Sequence, residues 1–187
     1  MPKVLGRSFF NRPTLKVAKE LLGKYLVRQL KGKTSALMIT EVEAYDGFRD
    51  RASHASRGRT ERNKVMFGEA GRWYVYFTYG MHWMLNIVTG PENYPAAILI
   101  RGAESKQRII NGPAKLTKFL KIDKPVSRLI NGKPANKKSG LWIEDRGVKI
   151  FPKQIKRSPR IGVHYAGPVW SNKYWRFYLP NLRSRER

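Results

Sequence analysis

The sequence predicts an α+β fold, a single domain over residues 1–187 built around an antiparallel sheet with flanking helices. Short segments of strand composition recur along the chain, while helical periodicity shows in two places, Thr14–Gly23 and Asn111–Leu120. No internal repeat or linker divides the 187 residues, a length that buries a core without disulfides or a structural metal.

In chain order, TLKVAKELLG at Thr14 sets Val17 with Leu21 and Ala18 with Leu22 on one helical face. Thr14 is the expected N-cap and Gly23 the stop. Tyr25–Leu30 and Ala36–Tyr45, joined by the polar KGKT, read as a hairpin. Phe48–Asn63, FRDRASHASRGRTERN, is expected to be a loop or short helical turns. Arg72–Thr89 and Ala96–Arg101 return to strand composition. In NGPAKLTKFL at Asn111, Pro113 suits a first helical turn, with Leu116, Phe119 and Leu120 at helical spacing. Lys121–Lys138 is rich in Lys, Pro, Asn and Gly and reads as a surface excursion; LWIE at Leu141 and FYL at Phe177 read as further strands.

Lys and Arg number 38 against 13 Asp and Glu, a formal charge of +25. A charge this large implies a polyanionic partner, nucleic acid first, because each cation docked on a phosphate releases condensed counterions. Aromatic residues make up 12%, so the chain is not a disordered basic tail. There is no cysteine, and the three histidines lack metal-ligand spacing, which excludes zinc fingers and thiol nucleophiles. No apolar run suits a signal peptide or a membrane span, so an intracellular, soluble monomer without cofactor or metal is expected.

Acids are scarce enough for their positions to carry information. Glu41 and Glu43 lie in ALMITEVEAY, and in a regular strand they share a face with Ile39 and Tyr45. Solvent-facing pairing with cations would explain them. A carboxylate kept close to a phosphate backbone costs affinity, however, and so points to a chemical task. His54, Arg57, Arg59, Arg62 and Lys64 form a cationic stretch suited to gripping phosphates. Trp73, Phe77 and Trp83 are expected in the core, whereas Tyr79-Gly80-Met81 reads as a chain reversal that leaves Tyr and Met at an exposed tip.

The blocks ITEVEAYDG, His54 with SRGRTERN, YVYFTYGMHWMLN, LIRGAE, NGPAKL and RIGVHYAG, in this order over most of the chain, resemble the alkyladenine (3-methyladenine) DNA glycosylase family. The resemblance implies a curved antiparallel sheet with a β-hairpin that inserts into the DNA minor groove. It implies a catalytic carboxylate at Glu43, an Arg at Arg101 holding the attacking water or nearby backbone, and base-sandwiching rings at Tyr45 and Tyr76. It further implies a hydrogen bond from His54 to the base edge, exclusion of normal guanine by Asn86, intercalation by Tyr79 and a groove contact by Met81. The activity implied is monofunctional: alkylated or deaminated purines are flipped from double-stranded DNA and their N-glycosidic bond is hydrolysed. A non-catalytic binder of structured RNA, or a ribosome-associated protein, is the alternative that charge and aromatic content also allow.

Overall fold

A computed structural model describes residues 1–180. Its strands are β1 (Lys3–Val4), β2 (Tyr25–Leu30), β3 (Lys33–Asp46), β4 (Trp73–Thr78), β5 (His82–Val88), β6 (Ala96–Glu104), β7 (Ile109–Asn111), β8 (Leu141–Asp145), β9 (Lys156–Ser158) and β10 (Arg176–Tyr178). Its helices are α1 (Arg7–Phe10), α2 (Thr14–Leu21), α3 (Pro113–Phe119), α4 (Lys124–Ile130) and α5 (Gly167–Ser171). Among these residues the strands join one open antiparallel sheet in the order β1-β8-β2-β3-β6-β5-β4, with β7 on β6 and β10 between β3 and β9. The α+β expectation holds.

Strand β3 is the spine. Its first half pairs with β2, its second half with β6, and β10 covers the remaining edge at Glu41–Glu43. The stretch that carries the two acids is therefore paired on both sides, which fixes its backbone. Alternation along these strands separates two surfaces. Val42, Ala44, Ile98, Ile100, Leu85, Ile87, Trp73 and Val75 enter the main core with Val17, Ala18 and Leu21 of α2. On the opposite face, pairing aligns Glu43 with Leu99, Leu99 with Asn86, and Asn86 with Tyr74 in one row across four strands.

A bulge corrects the reading of Ile39. Register slips on both sides of Glu41: Ile39 opposes Ala103, Glu41 opposes Gly102 and Val42 opposes Ile100. The slip turns Ile39 into the core beside Val42 and Ala44, while Glu43 and Tyr45 keep the other face. Gly102 permits this close approach, because a Cβ there would lie 3.1 Å from the Glu41 Cβ and 3.2 Å from the Thr40 hydroxyl.

Three further expectations are revised. Pro13 takes the N-cap position of α2, and the Thr14 hydroxyl instead donates to Asp46 at 2.9 Å, tying the helix to the end of β3. Lys121–Lys138 is not a surface excursion: it contains α4 and a 3₁₀ turn, and buries Ile122, Ile130 and Ala135. The Asp123 carboxylate caps α4 by accepting from the Val126 amide, so the Pro- and Lys-rich composition hid a capped helix. Phe77 is 43% exposed and packs on Trp83 with ring centroids 4.7 Å apart, since the far end of the β4–β5 hairpin projects beyond the sheet.

The packing of α4 gives a direct test. Ile130→Ala should destabilise the fold by about 2–5 kcal/mol, measured by urea unfolding, whereas a surface excursion would tolerate it.

Candidate active site and nucleic-acid interface

The non-core face of β3–β6–β5–β4 forms the floor of a cleft of about 1130 Å³, walled by the Phe48–Asn63 turns and by residues 161–167. A recess of about 40 Å³ leads inward, lined by Tyr45, His54, Tyr74, Tyr76, Asn86 and Tyr165 among others. The cleft carries Arg51, Arg57, Arg62 and Arg101, and among the described residues no Asp or Glu lines it. Its field is positive up to the aromatic recess, an arrangement that admits a phosphate-bearing chain and accepts a flat ring.

Glu43 lies one layer behind this wall with no exposed surface. Its Oε1 accepts from the Ile161 amide at 2.8 Å; its Oε2 accepts from the Tyr45 hydroxyl at 3.0 Å and from Arg101 Nη1 at 3.4 Å. A carboxylate offers about four lone-pair sites, so these three donors leave one for a further partner. Burial pushes the Glu43 carboxyl above its ordinary range, opposed by the Arg101 charge and then by the two hydrogen bonds from Ile161 and Tyr45. Glu41, two residues earlier, differs: its Oε1 accepts from Arg101 Nε at 2.8 Å and Arg176 Nε at 2.7 Å, a structural clamp between β6 and β10.

Tyr45 and Tyr76, the two rings that the resemblance assigns to a bound base, both line the recess. The His54 ring packs edge-on against Tyr76, its centroid 4.5 Å away, and its Nδ1 lies 2.9 Å from the Tyr74 hydroxyl. Burial, and second the Arg62 charge, push the His54 pKa down to about 4, so the imidazole is neutral at physiological pH. With the Tyr74 hydroxyl as donor, Nδ1 is the acceptor and Nε2 carries the proton. Asn86 is buried and donates to the Tyr74 carbonyl at 3.1 Å, which fixes its carboxamide on the recess wall.

The hairpin tip is a two-residue turn. The Met81 amide donates to the Thr78 carbonyl at 3.1 Å, and both central residues have positive φ, Tyr79 at +53° and Gly80 at +65°, as a type I′ turn requires. Glycine adopts this freely; a tyrosine is strained there by on the order of 1 kcal/mol or more. Tyr79 is 76% exposed and Met81 66%, and the Tyr79 hydroxyl lies 4.0 Å from where a side chain on Gly162 would begin. The tip thus overhangs the cleft mouth.

The cationic stretch divides. Arg57 and Arg62 line the cleft, and Arg62 also sits 5.4 Å over the Tyr76 ring. Arg59 instead stands over Phe67, and Lys64 pairs with Glu61 at the surface.

Sequence reasoning did not single out the pair behind the recess. Arg160 and Asp50, both fully buried in their side chains, form two hydrogen bonds of 2.6 and 2.8 Å. Arg160 also donates to the Ala44 carbonyl at 2.9 Å, and Asp50 accepts from the Asp46 and Ala52 amides. Removing one partner of such a pair costs roughly 3–5 kcal/mol. Tyr165, whose hydroxyl donates to the Ala52 carbonyl, and the Ile161 amide were missed as well. Arg160, Ile161 and Tyr165 lie in RIGVHYAG, which carried the resemblance without assigning them; no periodicity marks Asp50 in its polar loop.

A basic cleft ending in an aromatic recess, with a buried and hydrogen-bonded carboxylate behind its wall, suits an enzyme acting on nucleic-acid bases. Comparison with known proteins narrows the class. A family model described as methylpurine-DNA glycosylase (MPG) matches residues 8–183. A protein of Methanocella arvoryzae, named provisionally as a 3-methyladenine DNA glycosylase, is 45% identical, covering 95% of this chain and 93% of its own. Proteins of the same provisional name from Streptomyces avermitilis (41%; 95% and 88% covered) and Legionella pneumophila strain Corby (43%; 94% and 93%) are similarly related. The chain belongs to the methylpurine-DNA glycosylase family and is a hydrolase of the DNA-glycosylase type. Among the described residues no helix is long and apolar enough to cross a membrane, and no cluster of His, Cys, Asp or Glu suits a metal ion.

The depressed His54 pKa has a measurable sign. The folded state holds this ring neutral, so its contribution to stability is present above the unfolded value near 6.5 and is lost as pH falls toward 4. Histidine NMR should show a His54 midpoint near 4, moving upward in Arg62→Met; a midpoint near 6.5 in both proteins would contradict the assignment.

Proposed function

We propose that the protein is a monofunctional glycosylase that rotates alkylated or deaminated purines out of duplex DNA into the recess and hydrolyses the N-glycosidic bond, leaving an abasic site. The observation that carries this reading is Glu43, a fully buried carboxylate held by three donors behind the cleft wall.

A base inside a duplex hides its glycosidic bond, so the nucleotide must leave the stack at a cost of a few kcal/mol. Tyr79 at the hairpin tip fills the gap, and Met81 beside it contacts the groove. Arg57 and Arg62 hold phosphates of the distorted strand; Arg59 and Lys64, placed farther from the cleft, add to the general attraction. The flipped base stacks between Tyr45 and Tyr76. A purine made cationic by alkylation gains about 0.5–2 kcal/mol there from cation–π attraction. His54 offers its Nε2–H to the base edge, and Asn86 crowds the position where normal guanine carries its exocyclic amino group.

Bond cleavage builds oxocarbenium character on the sugar. Ionised Glu43 stabilises that charge and uses its remaining lone pair to orient and deprotonate a water attacking C1′. Arg101 bridges Glu41 and Glu43, holding the second carboxylate in place and in its charged form. No lysine lines the cleft among the described residues, which supports water rather than a Schiff base as the nucleophile. The protein acts as a monomer on DNA inside the cell.

Incubation with a duplex carrying one 3-methyladenine or hypoxanthine should leave the strand intact until alkali reveals an abasic site; binding to structured RNA with no base release would instead favour a non-catalytic role. Because burial raises the Glu43 carboxyl, the acidic limb of the release rate should lie above the ordinary carboxylate value of about 4.3. Arg101→Met removes the cation opposing that shift, so the limb should move further toward neutral pH; an unmoved limb would remove Glu43 as the titrating group. Tyr79→Asn keeps a residue that tolerates positive φ while deleting the ring. Thermal stability should hold or rise, and release of neutral lesions should slow roughly tenfold, the worth of one lost base–aromatic stack. Equal rates would exclude the wedge.

A further inference from the structure

The two faces of Tyr45 are not alike. One looks into the recess, while the Arg160 guanidinium lies 4.7 Å from the ring centroid and is itself 5.1 Å from the ring of Trp175. Arg160 has no exposed side-chain surface and is absent from both cavity walls, so it occupies the face of Tyr45 turned away from the cleft. A base stacked on the open face would sit one ring away, roughly 8 Å from this charge, with protein rather than water between. An uncompensated guanidinium there would oppose a positively charged base and leave a neutral one nearly unaffected. Asp50 supplies the compensation through two hydrogen bonds to Arg160, and it also accepts from the Asp46 and Ala52 amides.

We propose that Asp50 is a specificity-determining residue: by neutralising Arg160 behind Tyr45, it allows the pocket to accept cationic, alkylated purines. This rests on the reading of Tyr45 as a base-stacking wall. A guanidinium does not deprotonate inside a protein, so Asp50→Asn leaves a positive charge behind the ring, Arg160→Met removes that charge and leaves Asp50 without its cation, and the double variant removes both groups.

The test is binding to two duplexes matched in shape. One carries 7-methylguanine on a 2′-fluorinated sugar, which keeps the base cationic and resists release. The other carries its uncharged isostere, 7-methyl-7-deazaguanine. The ratio of the two affinities, taken on one protein preparation, is independent of the fraction folded. Asp50→Asn should lower the cationic-to-neutral ratio about tenfold relative to the unaltered protein, Arg160→Met, which leaves no cation behind the ring, should not lower it, and the double variant should restore it. A fall that the second substitution reverses cannot arise from loosened packing. If Asp50→Asn does not fold, Asp50→Ser, alone and with Arg160→Met, replaces it with the same expected fall and reversal. Unchanged ratios, or a fall in all three variants, would overturn the proposal. Failure of the unaltered protein to prefer either lesion over undamaged duplex would overturn the base-pocket reading itself.

Discussion

Everything at the site is arranged around one carboxylate, Glu43, kept out of water. Removing Glu43 from solvent disfavours its charge, and three donors from separate parts of the chain act against that penalty: Tyr45 on its own strand, Arg101 on the neighbouring strand and Ile161 in a distant loop. Tyr45 shares the block ITEVEAYDG with Glu43, whereas Arg101 and Ile161 come from LIRGAE and RIGVHYAG, far along the chain. The sheet brings them together because β3 is paired along both edges where the acid sits. Arg160 reinforces the assembly, since it fastens the residue before Ile161 to β3 and to Asp50 while covering the rear of Tyr45. The Tyr45 wall of the recess and the donors that hold the acid are thus parts of one buried network.

The surroundings also divide labour between two glutamates that look equivalent in sequence. Glu41 and Glu43 share a strand face, but the arginines at Glu41 come from β6 and β10 and use it as a clamp. Arg101 belongs to both environments and links the clamp to the buried acid. A bulge at this point, permitted by Gly102, lets two strands carry three charged side chains on one face while Ile39 remains in the core.

Much of this was legible in the sequence. Strand-like composition and the polar KGKT turn located the main strands, and helical spacing located α2 and α3. Tyr79-Gly80 was recognisable as a turn because glycine is common where φ is positive, although the positive φ of Tyr79 itself was not foreseeable. Ile39 and Phe77 were misplaced for related reasons: strict period-two reasoning has no way to register a bulge, and composition does not say where a hairpin leaves its sheet. Helix α4 was missed because lysines and prolines obscured Ile122 and Ile130 and the Asp123 cap. The resemblance pointed to the residues that touch the recess. It did not point to Asp50 and Arg160, whose pairing spans 110 positions and exists only in the folded chain.

If Glu43 rather than Glu41 performs the chemistry, single-turnover release of 3-methyladenine separates the two glutamates. Glu43→Gln and Glu41→Gln are each first checked for lesion binding. Glu43→Gln should bind the damaged duplex and not release the base, whereas Glu41→Gln should keep measurable release. Release by Glu43→Gln at the unaltered rate, or its loss only in Glu41→Gln, would remove Glu43 from the chemistry.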